Sequence, residues 1–535
     1  MTEFSLNFNK ALEFFSQSTA ANIEGILRGL EKESLRITPQ GTMALTPHPA
    51  SLGAALTHPK ITTDYSEALL EFITQPFSKT EDLLTELYQI HQFTYSQIHP
   101  KHEFLWPASM PCALDRDENI PVAQYGSSNS GKMKTVYRLG LGHRYGRAMQ
   151  TIAGIHYNFS LPDDFWKSLQ TLHNNSDSLQ DFKTRGYFAL IRNFRRYFWL
   201  LIYLFGASPA VSSCFVKKRQ HQLQVFPYAD STHYLPYATS LRMGDLGYQS
   251  DAQKKLVVNY NNIADYLKTL GCAIIQSHPE YDAIGVKNSA GEYQQLNSSL
   301  LQIENEFYSS IRPKRTTQRG ETALQALRLR GVEYIEVRCV DLNPYEPLGI
   351  TETQIKVMDA FLLFCILSPS PSTDEKEFYQ GQENQSRIVN RGREPNLTLL
   401  RGESEVLMSD WAEAILQGCM QCAELLDQNT SPQTYQKAIN EQLTKLHQPE
   451  LTPSAQILYG MREQHKNFYD FSLDLAKQHA DYFLRHPLSH ELYRAYVKLA
   501  EISQQDQTNL EQNQTMSFDE YLQRYFAQYQ ACQCC

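Results

Sequence analysis

The chain has 535 residues with a formal net charge of −9 at pH 7; 42% of its residues are hydrophobic and 20% are charged. This composition is typical of a globular protein and excludes a disordered or fibrous one. The negative charge argues against general binding to nucleic acid or anionic membranes, so an anionic substrate would need local Lys and Arg residues or metal ions. The length predicts one elaborate domain or two to three lobes.

Residues 5–28 have the apolar spacing of an amphipathic helix, and residues 30–37 follow as a strand. On a strand, Glu31 and Glu33 point to the same face. Two carboxylates held this close repel each other unless a cation lies between them, and oxygen ligands suit Mg²⁺ or Mn²⁺. An edge strand that presents two solvated glutamates is the alternative for this segment alone.

Three further strands are predicted to carry polar side chains on one face. They are residues 68–74 with Glu71, residues 154–161 with His156 and Asn158, and residues 332–339 with Glu336 and Arg338. The first is ambiguous, because Glu67 and Glu71 also fit one face of a helix, but Phe72, Ile73 and Thr74 favour a strand. A single histidine such as His156 is more often a core residue than a ligand, although its alternation with Asn158 favours a functional role.

Helices are predicted at residues 80–98, 186–205 and 261–275, and long helical patterns begin near residue 352. Residues 501–517 are rich in Gln and Asn, so we expect a solvated connector or a helix end. The apolar run 197–207 is too short to span a bilayer and is interpreted as a buried helix.

Several short motifs are expected to carry no function. Residues 126–133 nearly match a phosphate-binding loop, but Met133 stands where a hydroxyl would bind Mg²⁺, so the match is interpreted as a coincidence. Cys419 and Cys422 form a C-x-x-C without a second pair, which disfavours a zinc site. The N-terminus lacks the features of a signal peptide and the ten cysteines lack a regular spacing, which favours reduced thiols in the cytoplasm. No role can be assigned to Cys532, Cys534 and Cys535.

Together, the four polar strand faces predict a concave surface on which carboxylates converge with a histidine, an asparagine and an arginine. So many carboxylates need several divalent cations, and several Mg²⁺ ions in turn suit a polyphosphate. The pattern therefore points to phosphoryl transfer from ATP.

The same segments carry a family resemblance. In order along residues 22–460, the chain resembles glutamate-cysteine ligases of the proteobacterial type in the blocks GLEKESLRIT, LTHPKITTDYSEALLEFIT, WPASMP, QYGSSNSGKMKTVYR, QTIAGIHYNFSLP, YLFGASPA, YLPYATSLRMGDLGY, LQIENEFYSSIRPKR, GVEYIEVRCVDLNP and LTPSAQIL. Residues 461–535 carry little of the resemblance and are expected to be mostly helical. We expect residues 1–535 to form a single catalytic unit.

The resemblance implies an α+β fold in which a curved antiparallel sheet, surrounded by helices, forms the active-site floor, as in the glutamine-synthetase and guanido-kinase group. It also implies the reaction: ATP phosphorylates the γ-carboxylate of L-glutamate, and the amine of L-cysteine displaces phosphate to give γ-glutamylcysteine, the precursor of glutathione. Glutathione is expected to inhibit because it resembles the product. Another carboxylate-amine ligase and a metal-dependent hydrolase are the alternatives.

The resemblance also implies roles for individual residues. The expected Mg²⁺ ligands are Glu31, Glu33, Glu71, His156 and Glu336. Expected in the reaction itself are Arg338, as partner of a glutamate carboxylate or of the transferring phosphoryl group, and Asp64, near the cysteine amine, whose proton it could accept. The expected substrate-binding residues are Tyr137, Gln150, Asn158, Arg242, Tyr248 and Tyr308. The basic cluster Arg312, Lys314 and Arg315 is predicted to bind the nucleotide phosphates, on charge and position alone.

Overall fold

The computed structural model describes residues 4, 6–17, 23, 25–217, 219–247, 253, 256–428 and 432–531. The fold is α+β, as predicted. The strands are β1 (Leu27–Ile37), β2 (Ile61–Thr63), β3 (Leu69–Ile73), β4 (Phe104–Leu105), β5 (Ile155–Ser160), β6 (Ala210–Ser212), β7 (Gln224–Phe226), β8 (Ala229–Tyr234), β9 (Ile311–Lys314), β10 (Tyr334–Val340), β11 (Thr398–Arg401) and β12 (Ser404–Leu407).

The main sheet has the strand order β2-β3-β1-β5-β10-β9, and β4 pairs with β1 as a seventh strand. Its pairings are all antiparallel. The smaller sheets are β6-β8-β7 and the hairpin β11-β12.

Helices surround the main sheet and supply most of the buried core. They are α1 (Phe8–Gln17), α2 (Thr80–Ile98), α3 (Asn129–Tyr145), α4 (Asp163–Leu172), α5 (Leu179–Tyr197), α6 (Trp199–Phe205), α7 (Ser213–Val216), α8 (Ile263–Ile275), α9 (Pro279–Ile284), α10 (Ala323–Arg330), α11 (Glu352–Leu367), α12 (Glu375–Arg391), α13 (Met408–Asp427), α14 (Thr434–His447), α15 (Pro453–Glu463), α16 (Phe468–Arg485), α17 (His490–Gln512) and α18 (Phe518–Gln530). Within the described part of the chain, each helix is too short or too polar to cross a bilayer.

The two faces of the main sheet differ because side chains alternate along each strand. On one face, Leu30, Phe72, Tyr157 and Val337 are fully buried beneath helices. This face is tied to α11 and α14 by a buried network around Asp359, which accepts hydrogen bonds from Arg28 Nε at 2.7 Å, Tyr435 Oη at 3.1 Å and the Tyr157 hydroxyl. The opposite face carries the polar residues that the sequence analysis singled out.

Several predicted elements are confirmed and others are wrong. The helix at 80–98 and the strands around Glu71, His156 and Glu336 are present. The predicted helix 5–28 is present at Phe8–Gln17 but is wrong from Gly25 onward, because Gly25 has a φ of 96° and Leu27 and Arg28 pair with β5. The predicted helix 186–205 begins earlier, at Leu179, and is divided between α5 and α6.

The Gln-rich segment forms the end of α17 as far as Gln512 and then connects it to α18, as expected. Tertiary contacts stabilise this part of α17, since Ser503 Oγ accepts a hydrogen bond from Ala54 N at 2.9 Å. Cys419 and Cys422 are buried free thiols on α13. The cysteines at 532, 534 and 535 lie outside the described residues.

Candidate active site

The register of the main sheet brings the predicted polar residues together. The opposed pairs are Glu33 with Glu71, Glu31 with His156, and Glu336 with both Asn158 and Arg312. Because opposed residues of antiparallel strands share a face, five strands contribute to one polar surface.

Glu31, Glu71 and His156 form the closest group of potential metal ligands on this surface. One donor atom from each lies within 4.8 Å of the other two. His156 Nδ1 is 2.9 Å from Glu31 Oε2, and Asn158 Nδ2 donates to Glu31 Oε1 over 2.9 Å. Glu33 Oε1 is 3.9 Å from His156 Nε2, so it borders the same group.

Burial and neighbouring negative charges raise the pKa values of two of these carboxylates, Glu71 and Glu33. Burial, and next the charge of Glu31, raises the pKa of Glu71 well above its ordinary value. Burial and then the charge of Asp64 raise the pKa of Glu33 to about 8. A divalent cation would relieve this repulsion, and carboxylate oxygens with one imidazole nitrogen are donors that Mg²⁺ or Mn²⁺ accepts. The residues present therefore fit the predicted cation.

The other half of the surface supplies its own cations. Glu336 lies 3.1 Å from Lys314 Nζ, 3.2 Å from Arg338 Nη1 and 4.0 Å from Arg312 Nη1. Burial alone would raise the pKa of Glu336, but Lys314 and Arg338 hold it well below its ordinary value. This half is therefore suited to anionic oxygens such as those of a phosphate.

Arg242 is buried at the edge of the polar surface. Its Nη2 donates to the Arg338 carbonyl over 3.0 Å, and its Nη1 is 3.6 Å from Asp341 Oδ1. The buried Asp341 carboxylate also accepts hydrogen bonds from Ser208 Oγ at 2.8 Å and Ser240 Oγ at 3.0 Å, which fix it against Arg242. Sequence reasoning missed Asp341, because strand alternation gives no signal for a residue just beyond a strand end.

Asp64 follows β2 and is near the carboxylates, since its charge contributes to the raised pKa values of Glu33 and Glu71. Its carbonyl accepts a hydrogen bond from Arg138 Nε. Lys134 and Arg138, one turn apart on α3, both lie against the Tyr125 ring. Sequence reasoning missed this cationic pair. Its i, i+4 spacing falls within residues 124–138, one of the segments that carry the family resemblance, and was a usable signal.

Tyr137 lies on α3, and burial followed by the charge of Glu306 raises its pKa. The Tyr308 hydroxyl donates to Met243 Sδ over 3.1 Å. Beside Tyr308 and Met243 opens a cavity of about 1110 Å³. Gln150 is buried in the turn Ala148–Thr151, which leads into β5.

The structure turns one predicted residue, Arg315, away from this surface. Arg315 lies beyond the end of β9, where alternation turns it away from Lys314; its Nε is 3.7 Å from Glu333 Oε2 and its Nη1 donates to Gln180 Oε1 over 3.3 Å. Tyr248 lies outside the described residues.

Comparisons with known proteins show the family of the chain. The family model for glutamate-cysteine ligase matches residues 12–388. The glutamate-cysteine ligase of Saccharophagus degradans is 51% identical over 520 residues, with 97% of both chains covered. That of Alcanivorax borkumensis is 49% identical over 511 residues, covering 95% of this chain and 97% of the relative.

Two solved structures are also similar. The crystal structure of glutamate-cysteine ligase from Francisella tularensis in complex with AMP is 38% identical, with a TM-score of 0.89 and coverage of 95% of this chain and 98% of that one. A bifunctional glutathione synthetase from Pasteurella multocida is 26% identical, with a TM-score of 0.71 and coverage of 93% and 57%. From these matches, and from a polar sheet face of the predicted composition, we conclude that the chain belongs to the glutamate-cysteine ligase family.

Proposed function

We propose that the polar face of the main sheet is where this ligase uses ATP to join the γ-carboxylate of L-glutamate to the amine of L-cysteine. The product is γ-glutamylcysteine, and the reaction is the first step of glutathione synthesis. The observation that carries the assignment to this face is the convergence of Glu31, Glu71 and His156 beside the cationic half of the same surface.

In this proposal, the metal ligands are Glu31, Glu33, Glu71, His156 and Glu336. Mg²⁺ or Mn²⁺ held there would neutralise the charge of the nucleotide phosphates. Binding of a nucleotide is supported by the AMP complex of the relative from Francisella tularensis.

Arg312, Lys314 and Arg338 are assigned to the phosphate oxygens, because their charges flank the buried Glu336. Transfer of the terminal phosphoryl group to the γ-carboxylate of glutamate gives an acyl phosphate and ADP. The cysteine nitrogen then forms the new C–N bond while the C–O bond to phosphate breaks. Asp64 accepts the proton that the amine loses. Arg315 is left out of the phosphate site, since it faces Glu333.

The amino-acid substrates are assigned to the rim of this face. Arg242 and Asn158 would bind glutamate, with the buried guanidinium of Arg242 as partner of a carboxylate. Tyr137 and Tyr308, together with Gln150 and Tyr248, would form the wall of the cysteine pocket. We call Tyr137 and Tyr308 the cysteine wall. An acyl phosphate hydrolyses on contact with water, so enclosure by these side chains serves the reaction.

We further propose that the whole chain acts as one catalytic unit, since one buried apolar cluster contains residues from Phe4 to Tyr529. We also propose that the enzyme acts in the cytoplasm. Glutathione is proposed as an inhibitor that competes with glutamate, because it carries the γ-glutamyl group of the product.

Phosphate release tests the proposed function when glutamate and cysteine are omitted one at a time. Rapid release should need both amino acids and a divalent cation. Release that continues with amines other than cysteine would indicate a different carboxylate-amine ligase, and release without any amino acid would indicate a hydrolase. Added glutathione should raise the KM for glutamate without lowering kcat; a fall in kcat alone would contradict competition.

A further inference from the structure

We propose that α17 and α18, the 490–530 helix pair, position the cysteine wall. The inference rests on the proposed function, because it takes Tyr137 and Tyr308 to be that wall. The family model ends at residue 388, and the proposed roles above use no residue of this helix pair. The two wall residues lie on separate elements: Tyr137 on α3, and Tyr308 in the segment 295–310 before β9.

The first contact of the helix pair is with the start of α3. Ser127 N donates to Glu511 Oε1 over 2.8 Å, and Asn129 N donates to Gln514 Oε1 over 2.8 Å. These are backbone N–H groups at a helix N-terminus, which have no partner within the helix itself and favour a negative charge. The segment that resembled a phosphate loop is thus occupied by the chain's own side chains.

The second contact is apolar and covers both elements of the wall. Leu522 of α18 is buried in one cluster with Met133 and Val136 of α3 and with Leu296 and Ile303 of the other segment. Tyr137 packs against the same cluster. α18 therefore packs against both elements of the wall at once.

The third contact anchors the end of α18 near Tyr308. The fully buried Tyr529 donates its hydroxyl to Glu304 Oε2, and Glu304 Oε1 accepts a hydrogen bond from Ala323 N at 2.5 Å. Glu304 is four residues before Tyr308. Within the same segment, Gln302 Nε2 donates to the Tyr137 carbonyl over 3.1 Å. Tyr529 is therefore a positioning residue, which acts on the wall through Glu304.

Removal of the Tyr529 hydroxyl should alter cysteine binding more than any other step. For Tyr529→Phe, we expect about a tenfold rise in the KM for cysteine, with the KM for glutamate and kcat within about twofold of the wild-type values. The matched control is Tyr521→Phe, the same substitution about two turns earlier on α18. Glu304→Gln can keep its oxygen as the acceptor for Ala323 N and donate its side-chain N–H to the Tyr529 hydroxyl oxygen, so its KM for cysteine should stay near the wild-type value.

Glu511→Ala supplies a second test at an exposed contact whose loss leaves the core intact, and it should also raise the KM for cysteine selectively. The proposal is overturned if Tyr529→Phe and Glu511→Ala fold, as judged by thermal melting, and keep the wild-type KM for cysteine. It is equally overturned if the KM values for cysteine, glutamate and ATP rise together, which would indicate that the whole active site has lost its packing. An inactive wild-type enzyme would instead overturn the proposed function.

Discussion

Gly154 is the point at which the proposed metal site and the proposed glutamate pocket meet. Its N–H donates to Glu33 Oε2 over 2.7 Å, and its carbonyl accepts from Glu33 N at 3.0 Å. A Cβ atom added at Gly154 would lie 2.0 Å from Nη2 of Arg242. Gly154→Ala is therefore expected to displace the Arg242 guanidinium without removing any polar group.

The size of the effect follows from this geometry. Ordinary van der Waals contacts begin at 3.4 Å, so the guanidinium of Arg242 must move by about 1.4 Å. Misplacement of a binding group by about 1 Å can lower a rate by about 100-fold. We expect kcat/KM for glutamate to fall by at least about 100-fold, or about 2.7 kcal/mol. Overpacking of this kind should lower the free energy of unfolding by only about 1–3 kcal/mol.

The assay is steady-state phosphate release with glutamate varied at saturating ATP and cysteine. Gly381→Ala is the control, because its added Cβ would meet only the Arg195 carbonyl, at an ordinary 3.9 Å. A folded Gly154→Ala enzyme whose kcat/KM for glutamate stays within about threefold of wild type would refute the placement of Arg242 in the glutamate pocket.

Three further predictions concern the core, the carboxylates and the phosphate site. Asp359→Asn should lower the free energy of unfolding by about 3–5 kcal/mol in urea, because Arg28 would lose its buried charge partner. Burial raises the pKa of Glu33 to about 8, and a cation binds the ionised carboxylate. Mg²⁺ binding should therefore release a proton below that pH, so its affinity should rise with pH toward about 8, and Glu33→Gln should weaken this dependence in Mg²⁺ titrations. Lys314→Met should raise the KM for ATP about tenfold, whereas Arg315→Met should change it by less than about twofold; similar effects of the two would contradict the separation of their faces.

The polar face was predictable from sequence because strand alternation is a local property of the backbone. Glu31 and Glu33 share a face in any strand, and the same holds for His156 and Asn158. The register was not predictable in this way. That Glu33 opposes Glu71, and not a neighbouring residue, depends on the path of the chain between β1 and β3 and on the packing of the other face.

The errors arise where tertiary contacts override local signals. Arg315 was grouped with Lys314 by charge, yet the strand turns adjacent residues to opposite sides. For the Gln-rich segment after residue 501, composition left a connector and a helix end open, and the hydrogen bonds of Ser503 and Glu511 to distant loops stabilise the helix. Asp341 was missed because its partners come from residues 207–240, which no periodic pattern connects to it.

The order of the strands explains why the polar face is divided into two halves of different charge. β3 and β1, which lie side by side, contribute Glu71 and Glu33, and burial raises the pKa of both carboxylates. β9 lies at the far edge beside β10, and its Lys314 contributes to the lowered pKa of Glu336. In an order that placed β9 beside β3, the charge of Lys314 would offset that of Glu33 and Glu71. The motifs supply the charged groups, and the sheet topology separates them into an acidic side, which we propose for metal ions, and a basic side, which we propose for phosphate.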